Sequence, residues 1–270
     1  MLLLQINLRI MATFLFDKII FGPVRSRRLG MSLGINLLPA TRKVCNFNCI
    51  YCECGWTYEL KRPESYLPTR EEVYKALDLK LLEMRNSNKA PDMITFAGNG
   101  EPTLHPDFPG IIDDTIELRN KYFPGTAIAV LSNSTTITLP HIKEALLKID
   151  KNILKLDSGF DLTVRKHNQP RVNFKVAELI ENLQKFKGQL IIQTLFLRGT
   201  YRGKNIDNTT PDELSAWLKA LEIIKPSEVM IYTISRDTPG EGELCKVSLS
   251  ELNRIASMVK KLGIKTQVSG

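Results

Sequence analysis

The decisive stretch of this sequence is Lys43-Val-Cys-Asn-Phe-Asn-Cys-Ile-Tyr-Cys52. It places Cys45, Cys49 and Cys52 in a C-x3-C-x2-C pattern, with the aromatic Tyr51 directly before the last cysteine. Three thiolates on one short loop can bind three corners of an iron–sulfur cube, whereas an electron-transfer cluster normally takes four cysteines. The fourth iron then keeps an open position, and an open metal position can bind a substrate or a cofactor.

This spacing, with the aromatic in place, resembles the signature of the radical S-adenosylmethionine (radical SAM) enzymes. The resemblance implies one 4Fe-4S cluster on Cys45, Cys49 and Cys52, whose open iron chelates the amino and carboxylate groups of SAM. It implies that an electron, from a donor such as flavodoxin or ferredoxin, cleaves SAM to methionine and a 5′-deoxyadenosyl radical. That radical abstracts hydrogen from a substrate, so the resemblance predicts an enzyme of the oxidoreductase or transferase type.

A zinc site is the specific alternative to the cluster. Cys54 follows Cys52 by two residues, so Cys45, Cys49, Cys52 and Cys54 provide four thiolates for a tetrahedral zinc ion. On that hypothesis the protein is a zinc-stapled binding protein without catalytic activity. A structural zinc site usually joins two separated cysteine pairs in a small fold, whereas these four lie on one loop of a long chain.

The composition is that of a globular protein: 270 residues, 43% hydrophobic and 24% charged. No apolar run reaches the roughly 18–20 residues of a membrane span. Residues 1–10 are apolar but do not have the pattern of a secretory signal, and Met11 is a second candidate start. Three of the five cysteines belong to one short motif, which favours a reducing, cytoplasmic compartment. Only Cys54 and Cys245 remain, too few for a second cluster.

The charge is unevenly distributed along the chain. The net charge is +8, and residues 1–70 hold ten Lys/Arg against four Asp/Glu. Arg25, Arg27 and Arg28 crowd one stretch, and Arg42 and Lys43 follow. A basic face suits RNA or a phosphorylated small molecule, but the same charge also fits a solvated surface with counterions for an anionic cluster.

Alternating apolar and amphipathic stretches predict six strand–helix units, with residues 32–270 as one domain and residues 1–31 as an N-terminal extension. The extension has a short strand (14–22) and a basic turn, and two segments are expected without regular structure, a loop at 199–208 and a tail at 265–268. Near-continuous apolar strands indicate a parallel sheet covered by helices. Six units suit an α/β fold: a partial (β/α)6 TIM-type barrel, which is an open barrel with three quarters of the full circle. The predicted strands are 32–39, 92–97, 127–132, 152–157, 189–197 and 228–235, and the predicted helices are 69–85, 108–122, 140–149, 173–186, 210–221 and 248–262.

Polar residues are expected where these strands end, because a parallel barrel holds its chemistry at the carboxyl ends of its strands. Gly98-Asn-Gly-Glu101 resembles the Gly-Gly-Glu segment that holds the SAM amino group in the family, although its first glycine is Asn99 here. A glycine-rich turn with a capping glutamate is the structural alternative. Gln193 needs a partner, either the cofactor or a core group. The resemblance assigns cofactor contacts to Tyr51, Gly100, Glu101, Asn133, Asp157, Gln193 and Ile234.

The remaining candidates have ordinary interpretations. His105 is expected to form structural hydrogen bonds, His141 to be exposed, and Arg165, Lys166 and His167 to form a basic loop. Within the family, Gly100-Glu-Pro-Thr-Leu-His-Pro106 resembles the group of wyosine-forming tRNA enzymes and glycyl-radical activating enzymes. The substrate hypotheses are RNA, including tRNA, and a small molecule or protein glycyl site. The sequence does not indicate an oligomeric state.

Overall fold

One curled sheet organises the protein, whose computed structural model describes residues 14–57, 66–235, 238 and 242–270. Its strands are β1 (Ile20–Ser26), β2 (Gly30–Ile35), β3 (Met93–Phe96), β4 (Ala127–Ser132), β5 (Lys151–Lys155), β6 (Ile191–Tyr201), β7 (Lys204–Asp207), β8 (Glu228–Thr233), β9 (Gly242–Lys246) and β10 (Lys265–Ser269). They follow the order β1-β2-β3-β4-β5-β6-β8-β10, with β7 and β9 paired to β6. From β2 to β10 each neighbouring pair along this order is parallel.

The six predicted strands correspond to β2, β3, β4, β5, β6 and β8, and the predicted partial TIM-type barrel is confirmed. The apolar runs form central strands because both faces of the sheet are covered. In β3, for example, all four residues of Met-Ile-Thr-Phe are buried.

Seven helices are described: α1 (Arg70–Asn86), α2 (Phe108–Tyr122), α3 (Pro140–Leu147), α4 (Asp161–His167), α5 (Val176–Gln184), α6 (Pro211–Ile224) and α7 (Leu249–Lys260). Their start signals act as predicted. Thr69 forms a capping box with Glu72, and Thr210 accepts the hydrogen bond of Glu213 N. These side chains bind backbone N–H groups that have no partner inside the helix.

Packing on the two faces of the sheet differs. Outside, Trp217 of α6 is 1% exposed and donates its Nε1 hydrogen to Thr194 Oγ1 at 3.1 Å, which fixes α6 on β6. Inside, a separate buried apolar cluster contains Leu29, Met93, Ala129, Ile153, Ile191 and Met230. This cluster lies towards the amino ends of the strands, so polar chemistry is left to the carboxyl ends.

The N-terminal strand differs from the prediction of residues 14–22. β1 begins at Ile20 and continues through Pro23 to Ser26, so part of the predicted basic turn is strand. It pairs antiparallel with β2, and the register shifts between Phe21 and Val24. That irregularity accommodates a proline, which cannot donate to the ladder. Residues 1–13, with the alternative start Met11, lie outside the described residues.

Three other segments predicted to be irregular are ordered elements. Arg165, Lys166 and His167 form the last turn of α4 rather than a loop. The stretch 199–208 completes β6 and contains β7, which pair with each other as a hairpin. The tail is β10, parallel to β8. Their residues are too polar or their runs too short to show the period of a buried element.

The β1–β2 turn meets the last strand across the open side of the barrel. Gln267 Nε2 donates to Arg28 O at 2.9 Å, and Arg27 Nη1 donates to Gly270 O at 3.0 Å. The two ends of the sheet therefore approach one another at the turn.

None of the described helices has both the length and the apolar character that crossing a membrane requires.

Candidate active site

The cysteine loop, residues 44–57, docks on the segment that follows β3. Val44 N donates to Asn99 O at 2.9 Å, and Glu101 N donates to Val44 O at 3.0 Å. Gly100 lies in this contact with a φ of 140°, and a Cβ atom there would stand 1.8 Å from Val44 O. Only glycine fits such an approach of two backbones. The predicted contact residue Gly100 therefore has a packing role that brings the loop to the end of β3.

The other side of the loop docks on the residues after α4. Ile50 N donates to His167 O at 2.9 Å, and Arg171 N donates to Asn46 O at 2.9 Å. Backbone hydrogen bonds on two sides hold the cysteine loop, although it has no helix or strand of its own. The thiols are thereby placed over the carboxyl ends of the strands.

Hydrogen-bond donors from separate parts of the chain approach the first two cysteines. Phe47 N lies 3.4 Å from Cys45 Sγ, and Asn133 Nδ2 lies 3.5 Å from the same sulfur. Asn168 Nδ2 lies 3.4 Å from Cys49 Sγ. Burial raises the pKa of the Cys45 thiol to about 12 and raises the pKa of Cys49. These thiols therefore need a positive partner, such as a metal, to remain thiolates.

Lys43 is a buried cation beside the cysteines. It is 4% exposed, and its Nζ donates to Gly55 O at 3.1 Å. Burial lowers its pKa, but Cys52, Cys45 and Cys49 raise it, and the net result lies above the ordinary value. The ammonium group thus lies beside cysteine sulfurs that become anionic when a metal holds them as thiolates.

The fourth cysteine of the loop, Cys54, lies beside Cys52. Its Sγ is 3.4 Å from Gly98 O, and its thiol also hydrogen bonds Cys52, which lowers the pKa of Cys52 and raises the pKa of Cys54. Because a thiol has one proton, Gly98 O and Cys52 share this donor. Cys54 is thus a hydrogen-bonding neighbour of a motif cysteine.

The three motif cysteines provide the donor set of an iron–sulfur cluster. Within the part of the chain that the structure describes, no group of three or more His, Cys, Asp or Glu side chains converges as the ligands of one metal ion do. A zinc ion draws its sulfurs to within about 2.3 Å of one point, whereas the cysteines of a cluster bind different irons. The donor set and the buried ammonium group fit an anionic iron–sulfur cluster.

Glu101 and Asn133 join the ends of β3 and β4. Asn133 N donates to Glu101 Oε2 at 2.6 Å, and Thr103 Oγ1 donates to Glu101 Oε1 at 2.6 Å. The Glu101 side chain also caps a short 3-10 helix at Pro102–Leu104. Burial raises its pKa, against these hydrogen bonds. A buried carboxylate of this kind gains stability from a nearby cation.

Asp157 and Tyr51 belong to one buried network. Tyr51 OH donates to Asp157 Oδ2, and Asn168 Nδ2 donates to the same oxygen at 2.7 Å. Leu195 N donates to Asp157 Oδ1 at 3.0 Å, and Lys155 Nζ lies 3.4 Å from Oδ2. The protein itself occupies most acceptor positions of this carboxylate, whose side chain is fully buried.

Two cations lie in the middle of the barrel, around Tyr232. The Arg28 guanidinium stands 4.3 Å from the ring centroid and donates to Gln193 Oε1 at 3.2 Å. Lys155 Nζ lies 3.3 Å from Tyr232 OH. Gln193 thus has a protein partner, and Arg28 forms no ion pair with a carboxylate of the described residues.

The structure brings the predicted site residues together at one end of the barrel. Ile234 and Tyr51 belong to the buried apolar cluster that surrounds the cysteine loop. Gly100, Glu101, Asn133 and Asp157 follow β3, β4 and β5, and Gln193 lies one layer deeper, inside β6.

Sequence reasoning missed Lys43, Asn168 and Arg28 as site residues. Lys43 and Arg28 counted only as basic charge, and nothing in the pattern around Asn168 marks it. A lysine two residues before a cysteine triad is a usable signal, because sulfur anions need a counter-charge. Two histidines behave as expected: His105 Nε2 bonds Pro68 O at 2.8 Å, and His141 is exposed. The third, His167, is a buried residue of α4 rather than part of the predicted basic loop.

Comparison with known proteins identifies the class. The model of the radical SAM superfamily matches residues 41–202, more than half of the 270 residues. The chain therefore belongs to the radical SAM superfamily.

Among curated proteins, the UPF0026 protein of Helicobacter pylori is 31% identical over 241 residues, which cover 86% of this chain and 73% of that protein. A protein of Brachyspira hyodysenteriae named GTPase Obg is 33% identical over 229 residues, 83% of this chain but only 31% of its own length. A radical SAM methyltransferase of Sphaerobacter thermophilus shares the fold, with a TM-score of 0.63 and 14% identity over 88% of this chain and 65% of that one.

Proposed function

We propose that this protein is an enzyme that binds one 4Fe-4S cluster and SAM and cleaves SAM reductively to start a radical reaction. The observation that carries the proposal is the cysteine loop, which places Cys45, Cys49 and Cys52 at the carboxyl end of a radical SAM barrel among hydrogen-bond donors and a buried cation. When bound, the cluster supplies the electron that breaks a carbon–sulfur bond of SAM and yields the 5′-deoxyadenosyl radical.

The chain's own residues position and shield these groups. Cys45, Cys49 and Cys52 hold the cluster, and the amides of Asn133 and Asn168 point at two of the sulfurs. We propose that the buried carboxylate of Glu101 accepts the ammonium group of SAM, since a cation offsets the cost of burying its charge.

Apolar side chains pack around the cysteine loop. Phe47, Ile50, Leu195, Leu197 and Ile234 are buried around the cysteines. A dry site protects a reactive radical from side reactions and strengthens each charge interaction inside it.

Anaerobic reconstitution with iron and sulfide, followed by SAM and dithionite, tests the proposal by the release of 5′-deoxyadenosine. We expect the product from the wild type and from Cys245→Ala, whose cysteine is exposed on β9, and none from Cys49→Ala. About one zinc per chain with no iron uptake would contradict the proposal and favour the zinc-stapled alternative.

The Arg28 guanidinium in the barrel indicates the charge of the substrate. Arg28 is held by an amide and an aromatic ring, so its charge has no protein counterpart among the described residues. We propose a small-molecule substrate that presents a carboxylate or phosphate to this guanidinium.

RNA is the alternative substrate, suggested by the basic N-terminal stretch. Two of its cations, Arg28 and Lys43, face inward, towards Gln193 and the cysteines. Binding of bulk tRNA by the protein, with an affinity that falls steeply as the salt concentration rises, would favour RNA as the substrate, because phosphate contacts release counterions. Absence of such binding would favour the small molecule.

A further inference from the structure

Lys43 carries a charge that the fold buries at some cost and that no carboxylate balances among the described residues. The residue is 4% exposed, and the oxygen that accepts its hydrogen bond is the neutral carbonyl of Gly55, at 3.1 Å. None of the ion pairs among the described residues includes it. A buried ammonium group without an anion would be strongly destabilising.

Lys43 lies beside the motif cysteines: it stands two residues before Cys45, and its Nζ donates to Gly55 O, while Gly55 N donates to Cys52 O at 3.0 Å. An iron–sulfur cluster held by the three cysteines is the anion that this geometry offers to Lys43. Lys155 also acts on Cys49, but it lies 3.4 Å from Asp157 and is balanced there. Lys43 is therefore the cation beside the cysteines that no carboxylate of the described residues balances.

Charge near a cluster sets its reduction potential, together with hydrogen bonds to sulfur and burial. One-electron reduction adds a negative charge to the cluster and changes no bond of the protein. A fixed positive charge stabilises the reduced form more than the oxidised form, and burial strengthens the effect because the surroundings screen poorly.

We propose that Lys43 is the built-in counter-charge of the iron–sulfur cluster, and that its ammonium group raises the midpoint potential of the cluster. The inference rests on the proposed function, since it requires that the three cysteines bind a cluster. Lys43 acts through the sulfurs and is a positioning residue rather than a catalytic one.

Three substitutions at Lys43 separate charge from hydrogen bonding. Lys43→Arg keeps the charge, Lys43→Gln keeps a donor without charge, and Lys43→Met removes both. Arg42→Met is the matched control, because it removes a positive charge from the adjacent residue. Lys43 is among the residues whose charges most affect the pKa of the three cysteines, and Arg42 is not.

The measurement is a mediated redox titration of each reconstituted protein without SAM, followed by the electron paramagnetic resonance signal of the reduced cluster. We expect the Gln and Met proteins to have a more negative midpoint, with about a tenfold smaller equilibrium constant for reduction, which corresponds to about 59 mV for one electron. The Lys43→Arg and Arg42→Met proteins should stay near the wild type.

The outcomes distinguish the inference from its premise. If the wild-type protein binds no cluster after reconstitution, the proposed function itself is wrong. A wild type with a cluster and a Lys43→Gln protein of unchanged midpoint would overturn the inference alone, as would an equal shift in Arg42→Met. Failure of Lys43→Arg to bind iron would also overturn it. Iron binding by Lys43→Arg, but not by the Gln and Met proteins, would support the role of Lys43 as counter-charge, because the cluster would then need a cation at this position to form.

Discussion

The buried pair of Asp157 and Lys155 allows a sharp test of how the site is held together. The Asp157 side chain is fully buried, that of Lys155 is 13% exposed, and Lys155 Nζ lies 3.4 Å from Asp157 Oδ2. Asn168 Nδ2 also donates to Oδ2 at 2.7 Å. Asp157→Asn keeps the size of the side chain but removes its charge and turns one acceptor into a donor.

The expected cost follows from these contacts. Removing one partner of a buried ion pair leaves the other charge uncompensated and costs about 3–5 kcal/mol. The amide introduced by the substitution would satisfy either Leu195 N or the donors at the Oδ2 position, but not both. We therefore expect Asp157→Asn to lower the free energy of unfolding by about 3–5 kcal/mol.

Urea unfolding followed by far-ultraviolet circular dichroism measures this loss. The matched control is Asp113→Asn, which breaks the exposed pair with Lys148 and should cost less than about 1 kcal/mol. The double variant with Lys155→Met no longer has the uncompensated charge of Lys155. Its loss in free energy of unfolding should therefore be smaller than the sum of the losses of the two single variants. We expect a coupling energy of at least about 1 kcal/mol.

Two results would refute the reasoning. A loss below about 1 kcal/mol in Asp157→Asn would show that water or movement replaces the carboxylate. Strict additivity with Lys155→Met would show that the two side chains do not act as a pair, because independent sites give additive losses.

Two further predictions concern the loop and its support. Gly100→Ala should abolish iron binding, measured as iron per chain after reconstitution, because its Cβ would overlap Val44 O. The control Gly125→Ala, with no atom within 4 Å of the added Cβ, should bind iron like the wild type. Equal iron contents in the two variants would contradict the packing role. Burial lowers the pKa of His167 to about 4, so the stability it contributes is present above about pH 6.5 and is lost as the pH falls towards 4, by about 3 kcal/mol. Urea unfolding at several pH values should show a smaller loss in His167→Gln, and an identical loss would rule out His167 as the cause.

The sequence alone predicts the barrel and marks the candidate metal ligands. Runs such as Met93-Ile-Thr-Phe96 are apolar at nearly every position of a short segment, and only a strand covered on both faces buries them. The triad of Cys45, Cys49 and Cys52 is local, since three thiols within eight residues need no long-range information to mark a metal loop. Local signals of this kind also place the starts of α1 and α6, through Thr69 and Thr210.

The elements that sequence reasoning missed depend on partners distant in the chain. β7 and β9 are polar strands that exist because the long β6 offers both of its edges to them. β10 continues the barrel beside β8, although its residues have no strong strand pattern.

The direction of each charged side chain was also decided by tertiary structure. Arg28 is 165 residues from its partner Gln193, and Asn168 is 119 residues from Cys49. Lys43 is two residues from a cysteine and still gives no sign in the sequence whether it faces solvent or sulfur. The sequence therefore determines which groups the site contains, through local periodicity and spacing. Tertiary structure determines which charges lose their water, because burial depends on segments that meet only when the barrel forms.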